Sequence, residues 1–524
     1  MSAPAAQEER KATLRDWMAV IGATLGGFMA VLDIVISAAS MKDIQGSISA
    51  SLDEAAWIST SYLISEIIVI PLTGWLVSIF SLRRFLLVNS VLFVLFSIWC
   101  GASTSLPMLV VARFFQGLTG GALIPVGAMT VVRVLPPSQR TLGFVIFGLC
   151  SALAPAIGPT LGGFITSAYG WPMSYYINLF PGIVFIWMIA YGLKPEPMNL
   201  GGLKNGDWTG IFTMTVTMAT MTYVLEEGNR KEWFADPSIL WCTVACVIST
   251  VVFLWNEMRV KNPVIHLRLF LRRNFLAANM AVFFVGIFMY SYTYIIPHYL
   301  LQVQGYDAFE AGKVMMWFSL PQLALAPFIP FLVKTMNRRM MICVGFCTFI
   351  ASCYLNSFMD LNFAGDQLIW SQLIRAVGIG LVLTPLNTLA FEGIEVERVG
   401  SASAIFTVMR NLGGSIGISF FSTFLTVRHQ THFVETTEAV SVQDPGVQQG
   451  LQQLIETLQL KSSALGEHQA VQYVAKLINR ESLIMAYSDL FMCLGFFMII
   501  ALCTVPFIQN TAGVPKPAPP GTDH

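Results

Sequence analysis

The sequence predicts an all-α integral membrane protein with about fourteen transmembrane helices. Three observations carry that expectation. Of 524 residues, 55% are hydrophobic and 11% charged, with a mean hydropathy of +0.66, whereas a soluble domain carries about 25% charged residues. Apolar runs of roughly twenty residues, long enough to cross a hydrocarbon core, recur along the chain. The Lys and Arg residues fall mostly in alternate connections between these runs, the asymmetry that orients membrane proteins.

Composition also excludes several classes of function. A formal net charge of zero gives no electrostatic footprint for a nucleic-acid partner. The nine cysteines (Cys100, Cys150, Cys242, Cys246, Cys343, Cys347, Cys353, Cys493 and Cys503) sit in apolar runs without a CxxC pair. Neither a disulfide framework nor a zinc site is expected. A Walker A pattern is absent from the sequence, so ATP is not expected as the energy source. Gly413-Gly-Ser415-Ile-Gly417 fits a nucleophile elbow on paper, but that device needs a strand and a turn, and here it lies mid-span. No catalytic residue, cofactor or metal is expected; lipid is the expected surroundings.

Taken in order, residues 1–16 are polar and too charged for a cleaved signal peptide. The spans are expected near 17–40, 55–80, 84–103, 107–134, 141–168, 172–193, 208–225, 238–256, 275–301, 311–334, 339–358, 367–391, 401–427 and 484–508. With the N-terminus inside, the inner connections carry Arg83, Arg84, Arg133, Arg140, Lys194, Lys204, Arg259, Lys261, Arg268, Arg272, Arg273, Lys334, Arg338, Arg339 and Arg398. The short outer ones carry little beyond Lys42, Arg230 and Lys231. Both termini are then cytoplasmic.

An internal repeat divides the chain. Leu76-Val77 followed by Arg83-Arg84 recurs as Leu332-Val333 followed by Arg338-Arg339, and Arg113 with Pro125 recurs as Arg375 with Pro385, at offsets near 260 residues. Repeats of this kind mark transporters whose halves rock about a central site. The expected organisation is a six-helix bundle over 17–193, two inserted helices over 194–256 and a second six-helix bundle over 257–508. A long polar outer loop spans 428–483, and a Pro-rich tail spans 509–524. Within the loop, Leu451, Leu454, Ile455, Leu458 and Leu460 have helical spacing, as do Val471, Val474, Ala475 and Ile478. They suit either a solvated cap or a docking surface.

Charged groups inside spans are expensive and usually functional. Asp33 and Arg113 sit at similar depth, roughly 10 Å in at about 1.5 Å per residue, so a pair is geometrically possible, either static or part of a coupling device. Glu66 lies near the middle of the second span. It suits a proton carrier, holding its proton while enclosed and releasing it when opened to water, or a polar residue that pins two helices. Arg375 and Arg410 could neutralise a substrate carboxylate or pair with helix-end carbonyls. His298 reads as a satisfied bundle histidine rather than a proton relay. Phe283, Phe284, Phe288, Tyr290, Tyr292 and Tyr294 make the ninth span aromatic, suited to packing and, at Phe288 and Tyr292, to a pocket for ring-bearing compounds.

The most specific stretch is Ala154-Pro155-Ala156-Ile157-Gly158-Pro159-Thr160-Leu161-Gly162-Gly163, two prolines and three glycines inside a span. Gly158 and Gly162 have the spacing that lets helix backbones approach closely. Other marked stretches are Leu32-Asp33, Trp57-Ile-Ser-Thr-Ser-Tyr62, Pro71-Leu-Thr-Gly-Trp75, Arg113-Phe-Phe-Gln-Gly117, Asp207-Trp208-Thr-Gly210, Pro263-Val-Ile-His-Leu-Arg-Leu-Phe270, Arg375 with Gly378 and Gly380, and Gly400-Ser-Ala-Ser403 through Arg410-Asn-Leu-Gly-Gly414. In this order they resemble the major facilitator superfamily, and within it the fourteen-helix drug:proton antiporters of the EmrB-like type. The proline-glycine stretch, with Pro155, Gly158, Pro159, Gly162 and Gly163, resembles that family's antiporter motif.

The resemblance implies a major facilitator fold and proton-coupled export of hydrophobic or amphipathic drugs across a bacterial inner membrane. It also implies a periplasmic membrane-fusion adaptor, a TolC-like outer-membrane channel, and proton coupling through Asp33 and Arg113, to which the buried position of Glu66 adds a third candidate. An exporter dedicated to one natural product, such as a siderophore or organic acid, is the alternative. The chain departs from the family pattern at Val35, Ala38 and Lys42 after Leu32-Asp33. In the loop after the second helix, Ser78 and Ser81 replace an expected Asp and Gly, which weakens the expectation of a charge latch there.

Overall fold

The computed structural model describes residues 11–204, 206–260, 263–360, 363–395, 398–439, 449 and 466–509. Among them all regular structure is helical. The principal helices are α1 (Leu14–Ala39), α2 (Leu52–Phe80), α3 (Leu82–Gly101), α4 (Leu106–Val134), α5 (Arg140–Tyr169) and α6 (Leu179–Gly192), the last led in by the turn Met173–Tyr176. Then come α7 (Trp208–Glu227), α8 (Pro237–Arg259), α9 (Arg273–Gln302) and α10 (Ala308–Leu325), continued after a break by Ile329–Thr335. The chain closes with α11 (Arg338–Asn356), α12 (Gly365–Phe391), α13 (Val399–Ala439) and α14 (Gly466–Leu502).

Local chemistry sets the helix starts. Thr13 with Asp16, Ser51 with Glu54, and Asp307 with Glu310 form capping boxes at α1, α2 and α10, each satisfying backbone N–H groups that the first turn leaves open. Asp236 caps α8 ahead of Pro237, whose missing N–H costs nothing at that position. Among the described residues eleven helices are long and apolar enough to cross a membrane, and α5 is a twelfth when its two arms are taken together. The two remaining apolar runs are α7, diluted by threonines whose hydroxyls bond back to their own helix, and the broken α10. The fourteen apolar runs of the sequence are therefore all helical.

The two halves repeat one packing scheme, with α1, α4 and α5 at the centre of the first and α9, α12 and α13 at the centre of the second. Helices α7 and α8 pack on each other, with Thr217 donating to Ser249 at 2.9 Å. They lean on α2 through Trp57 on Tyr223, Trp75 on Trp208, and Thr60 donating to Glu227 at 3.2 Å. Thr423 of α13 donates to Asn229 in the α7–α8 connection at 3.2 Å, so the pair touches both halves. The outer face of α8 leaves Trp241, Val247, Ile248 and Val251 exposed, a surface at home only in lipid.

The halves meet at both ends of the bundle. Near the end that carries Arg83, Arg84, Arg338 and Arg339, here called the basic end, a Cβ on Gly74 would lie 2.7 Å from the Gly400 carbonyl carbon. There α2 and α13 touch backbone to backbone, and Phe144 stacks on Phe391 with ring centroids 5.3 Å apart. Between the ends, Ser403 donates to the Pro125 carbonyl at 2.6 Å. Toward the opposite end, a Cβ on Gly312 of α10 would collide with Thr160 of α5.

The expected loop over 428–483 is shorter than the sequence suggested. Helix α13 continues to Ala439 and α14 begins at Gly466, so Val474, Ala475 and Ile478 extend the last span instead of forming a separate helix. Both extensions are polar and, apart from Gly466 at the start of α14, lack Pro and Gly, so hydropathy drops while helix propensity does not. Arg428 and His432 of α13 both bind Asp489 of α14, His432 at 2.8 Å. The expected helix at Leu451, Leu454, Ile455, Leu458 and Leu460 lies outside the described residues, as does most of the Pro-rich tail.

Candidate functional site

The polar centre of the first half is built around Asp33, which α1 carries into the bundle at 1% exposure. Arg113 of α4, equally buried, donates from Nη1 to Asp33 Oδ2 at 2.5 Å. Asp33 Oδ1 accepts from Gln116 Nε2 at 3.0 Å and from Asn178 Nδ2 at 2.5 Å. Both amides also donate to Ser97 Oγ, at 2.7 and 3.0 Å. Arg113 further donates to Gln116 Oε1 at 2.8 Å and to the Ile58 carbonyl at 3.3 Å, and its guanidinium lies 4.2 Å from the Tyr62 ring centroid. A buried ion pair persists only when its remaining donors and lone pairs are met. Here α2, α3, α4 and Asn178 at the start of α6 meet them. Of the four added partners, Gln116 and Tyr62 sit inside stretches already marked in the sequence, while Ser97 and Asn178 carry no signal that separates them from other polar residues in spans.

Glu66 of α2 is enclosed as well, at 5% exposure, and its Oε2 has no hydrogen-bond partner. It lies against α4 at Gly121, where a Cβ would come within 2.8 Å of its backbone. Two positive charges act on it: Arg410 of α13, from the other half, and Arg113. Arg410 is itself buried with Nε unpartnered. Beside it, Tyr290 of α9 donates to Asn411 at 3.1 Å. The structure thus brings Asp33, Glu66, Arg113 and Arg410 into one electrostatic neighbourhood that crosses the seam between halves.

Arg375 of α12 forms a second centre. It is 2% exposed and lies between two rings, 4.2 Å from the centroid of Tyr292 and 3.8 Å from that of Phe318. Its Nη2 donates to Gln372 Oε1 at 2.5 Å. The Tyr292 hydroxyl pairs with Ser352 at 2.8 Å and accepts from Asn356 at 2.6 Å. Phe288 stacks on Phe349 with centroids 4.2 Å apart. His298 is hydrogen-bonded to Tyr487.

The proline-glycine stretch lies on α5, which bends by 46° between Pro155 and Ile157. Prolines inside a helix remove backbone bonds and produce such bends. Gly158 and Gly162 face α1, where a Cβ would come within 2.6 Å of Val35 and 3.1 Å of the Ile36 backbone. Thr160, between them, packs on Gly312 of α10. Pro159 and Gly163 occupy the same arm. The glycines of 413–417 serve packing too: a Cβ on Gly413 would strike the Phe283 carbonyl.

Pro155 also lines a small pocket completed by Phe288, Met289, Thr293, Phe318, Arg375 and Ile379. A second small pocket lies nearer the basic end, between Val145 and Leu149 of α5, Gln322 and Leu325 of α10, and Leu383 of α12. Ile379 lines both. Among the described residues no group of three or more His, Cys, Asp or Glu is arranged to hold a metal ion.

Comparison with known proteins agrees with this architecture. The Major Facilitator Superfamily profile matches residues 23–418. The colistin resistance protein EmrB of Acinetobacter baumannii is 30% identical over 495 residues, covering 94% of this chain and 96% of the relative. The multidrug export protein EmrB of Escherichia coli strain K12 is 27% identical over 484 residues, covering 92% and 93%. Among solved structures, the proton:xylose symporter XylE superposes with a TM-score of 0.58 at 13% identity, covering 95% of this chain and 96% of its own. The chain belongs to the Major Facilitator Superfamily and groups there with the EmrB-like efflux pumps.

Proposed function

We propose that this member of the Major Facilitator Superfamily exports hydrophobic or amphipathic compounds, drugs among them, in exchange for protons. It would work in a bacterial inner membrane with both termini in the cytoplasm. The observation that carries the coupling is the open carboxyl oxygen of Glu66, set at the seam between an Arg113–Asp33 pair on its own half and Arg410 on the other. Asp33 has three donors and no spare role for a proton. Glu66 has an oxygen free to take one.

The mechanism follows from that difference. With Glu66 ionised, its attraction to Arg410 draws the halves together; protonation removes that attraction and frees the seam to open. Substrate from the cytoplasm competes with the proton for the same acidic site, binding only while Glu66 is ionised. Proton and substrate then bias one equilibrium between two orientations in opposite senses, which is the linkage that antiport needs. A tenfold bias requires about 1.4 kcal/mol of differential binding, well within the reach of one buried charge interaction. The bent α5, packed against α1 and α10, would keep the outer side sealed during the exchange.

By analogy with the named relatives, the pump would deliver its cargo to a periplasmic membrane-fusion adaptor and a TolC-like outer-membrane channel. The helical extensions of α13 and α14 offer the surface for that contact. An exporter of one organic acid or siderophore is the second reading, favoured by the two buried arginines of the second half. The coupling is tested in everted membrane vesicles energised by an acid interior. Glu66→Gln and Asp33→Asn should each lower proton-driven drug accumulation at least tenfold, with parental amounts of protein in the membrane. Parental rates in both would remove the site assignment.

A further inference from the structure

Arg375 is a buried cation for which the described residues supply no carboxylate within ion-pair distance. Its counterpart by the internal repeat, Arg113, is neutralised by Asp33. The comparison extends to the partners. Asp33 lies nineteen residues after Leu14, the first residue of α1 (33 − 14), and Tyr292 lies nineteen after Arg273, the first of α9 (292 − 273). Ser352 of α11 bonds to Tyr292 as Ser97 of α3 belongs to the Asp33 network. Where the first half has an acid, the second has a neutral phenol.

We propose that the exported compound supplies the missing anion: the cavity beside Arg375 is a subsite for the carboxylate of an amphipathic acid. This rests on the export reading above and gives its cargo a chemical class. The guanidinium has one nitrogen on Gln372, while Nε has no hydrogen-bond partner, so the fork that binds carboxylates is half open. Tyr292 and Phe318 hold its plane from both sides. An uncompensated charge inside a membrane bundle is costly, and a ligand carboxylate removes that cost.

The rest of the molecule fits the adjoining space. Past Ile379 the second pocket is lined by Val145, Leu149, Leu325 and Leu383, apolar side chains on the side of the basic end. There Gln322 is buried with both side-chain polar atoms unpartnered, ready to meet one polar substituent. Pro155 closes the head-group cavity, so an occupied subsite presses on α5 at its bend. That contact carries occupancy of the second half to the first.

The test uses the full-length protein in phosphatidylcholine nanodiscs, titrated calorimetrically at pH 7.5 with 2-naphthaleneacetate, its methyl ester and 2-(2-naphthyl)ethylammonium, with empty nanodiscs subtracted. The acid should bind at least tenfold more tightly than the ester or the amine. Arg375→Gln should reduce the acid to the ester's affinity and leave the ester unchanged. Should that variant not fold, Tyr292→Asp decides the matter: it keeps Arg375, places a carboxylate where the first half has one, and should erase the acid's advantage. Equal binding of acid and ester to the parent, or an acid preference that survives Tyr292→Asp, overturns the subsite. Proton-linked export of the neutral or cationic compound without an acid preference would overturn the subsite and leave the export reading standing. An Arg375-dependent acid preference without proton-linked movement would keep the subsite and overturn the coupling.

Discussion

Arg113 and Asp33 depend on each other for their burial. Removing one partner of such a pair leaves a charge in hydrocarbon at a cost of about 3–5 kcal/mol, while replacing both is far cheaper. Arg113→Gln should therefore lower the thermal midpoint more than the double variant Asp33→Asn/Arg113→Gln, measured by thiol-reactive dye unfolding in detergent. A double variant as unstable as the single one would mean that packing on Tyr62, not charge, dominates. Ser81 offers a cleaner residue-scale test. It begins α3 at φ +68° and ψ 152°, a region open almost only to glycine, and its hydroxyl is buried without a partner. Ser81→Gly should stabilise by about 1 kcal/mol or more, seen as a higher midpoint; a lower one would show that the serine is held there by something useful. The pair itself was legible in the sequence because a charge in an apolar run stands out. Ser97 and Asn178 were not, since neutral polar residues occur in most spans, and the action of Arg410 on Glu66 crosses between halves that no local pattern links.

At the scale of helices, the close contacts mark where motion must begin. Gly74 on Gly400 closes the basic end, and Thr160 on Gly312 closes the other. A side chain at Gly74 cannot be accommodated without parting α2 from α13. Gly74→Val should hold the basic end open, raising the labelling of a cysteine placed at Thr384 by a membrane-impermeant maleimide in everted vesicles several-fold over the parent. Unchanged labelling would show that this contact is not the seal. The extensions of α13 and α14 are held by Arg428, His432 and Asp489. Asp489→Ala should loosen them, read as faster proteolysis between 428 and 483 with the transmembrane core intact. Hydropathy located the fourteen runs well because it measures apolar length. It missed these extensions for the same reason: helices that leave the membrane keep their backbone pattern after their hydropathy falls. The bend in α5, by contrast, was written in Pro155 and Pro159.

Over the whole molecule, two halves of one design have diverged in their charges. The first carries a self-compensated pair and an acid with an open oxygen; the second carries two buried arginines, Arg375 and Arg410, to which the described residues of that half supply no carboxylate. Protons are thereby suited to one half and anionic or polarisable cargo to the other, and the seam between them is where the two meet. The internal repeat showed the matched architecture from sequence alone. The divergence became visible only when Tyr292 took the place of Asp33 in space.

The central claim is that cargo and protons exchange through Glu66. The most direct measurement loads sealed proteoliposomes with a lipophilic substrate that has no titratable group, clamps the membrane potential with potassium and valinomycin, and follows internal pH with a trapped dye as substrate flows out. The parent should acidify the interior in step with efflux, and Glu66→Gln should release substrate slowly or not at all with no change in pH. Substrate leaving the parental vesicles at full rate while the internal pH stays constant would contradict the account.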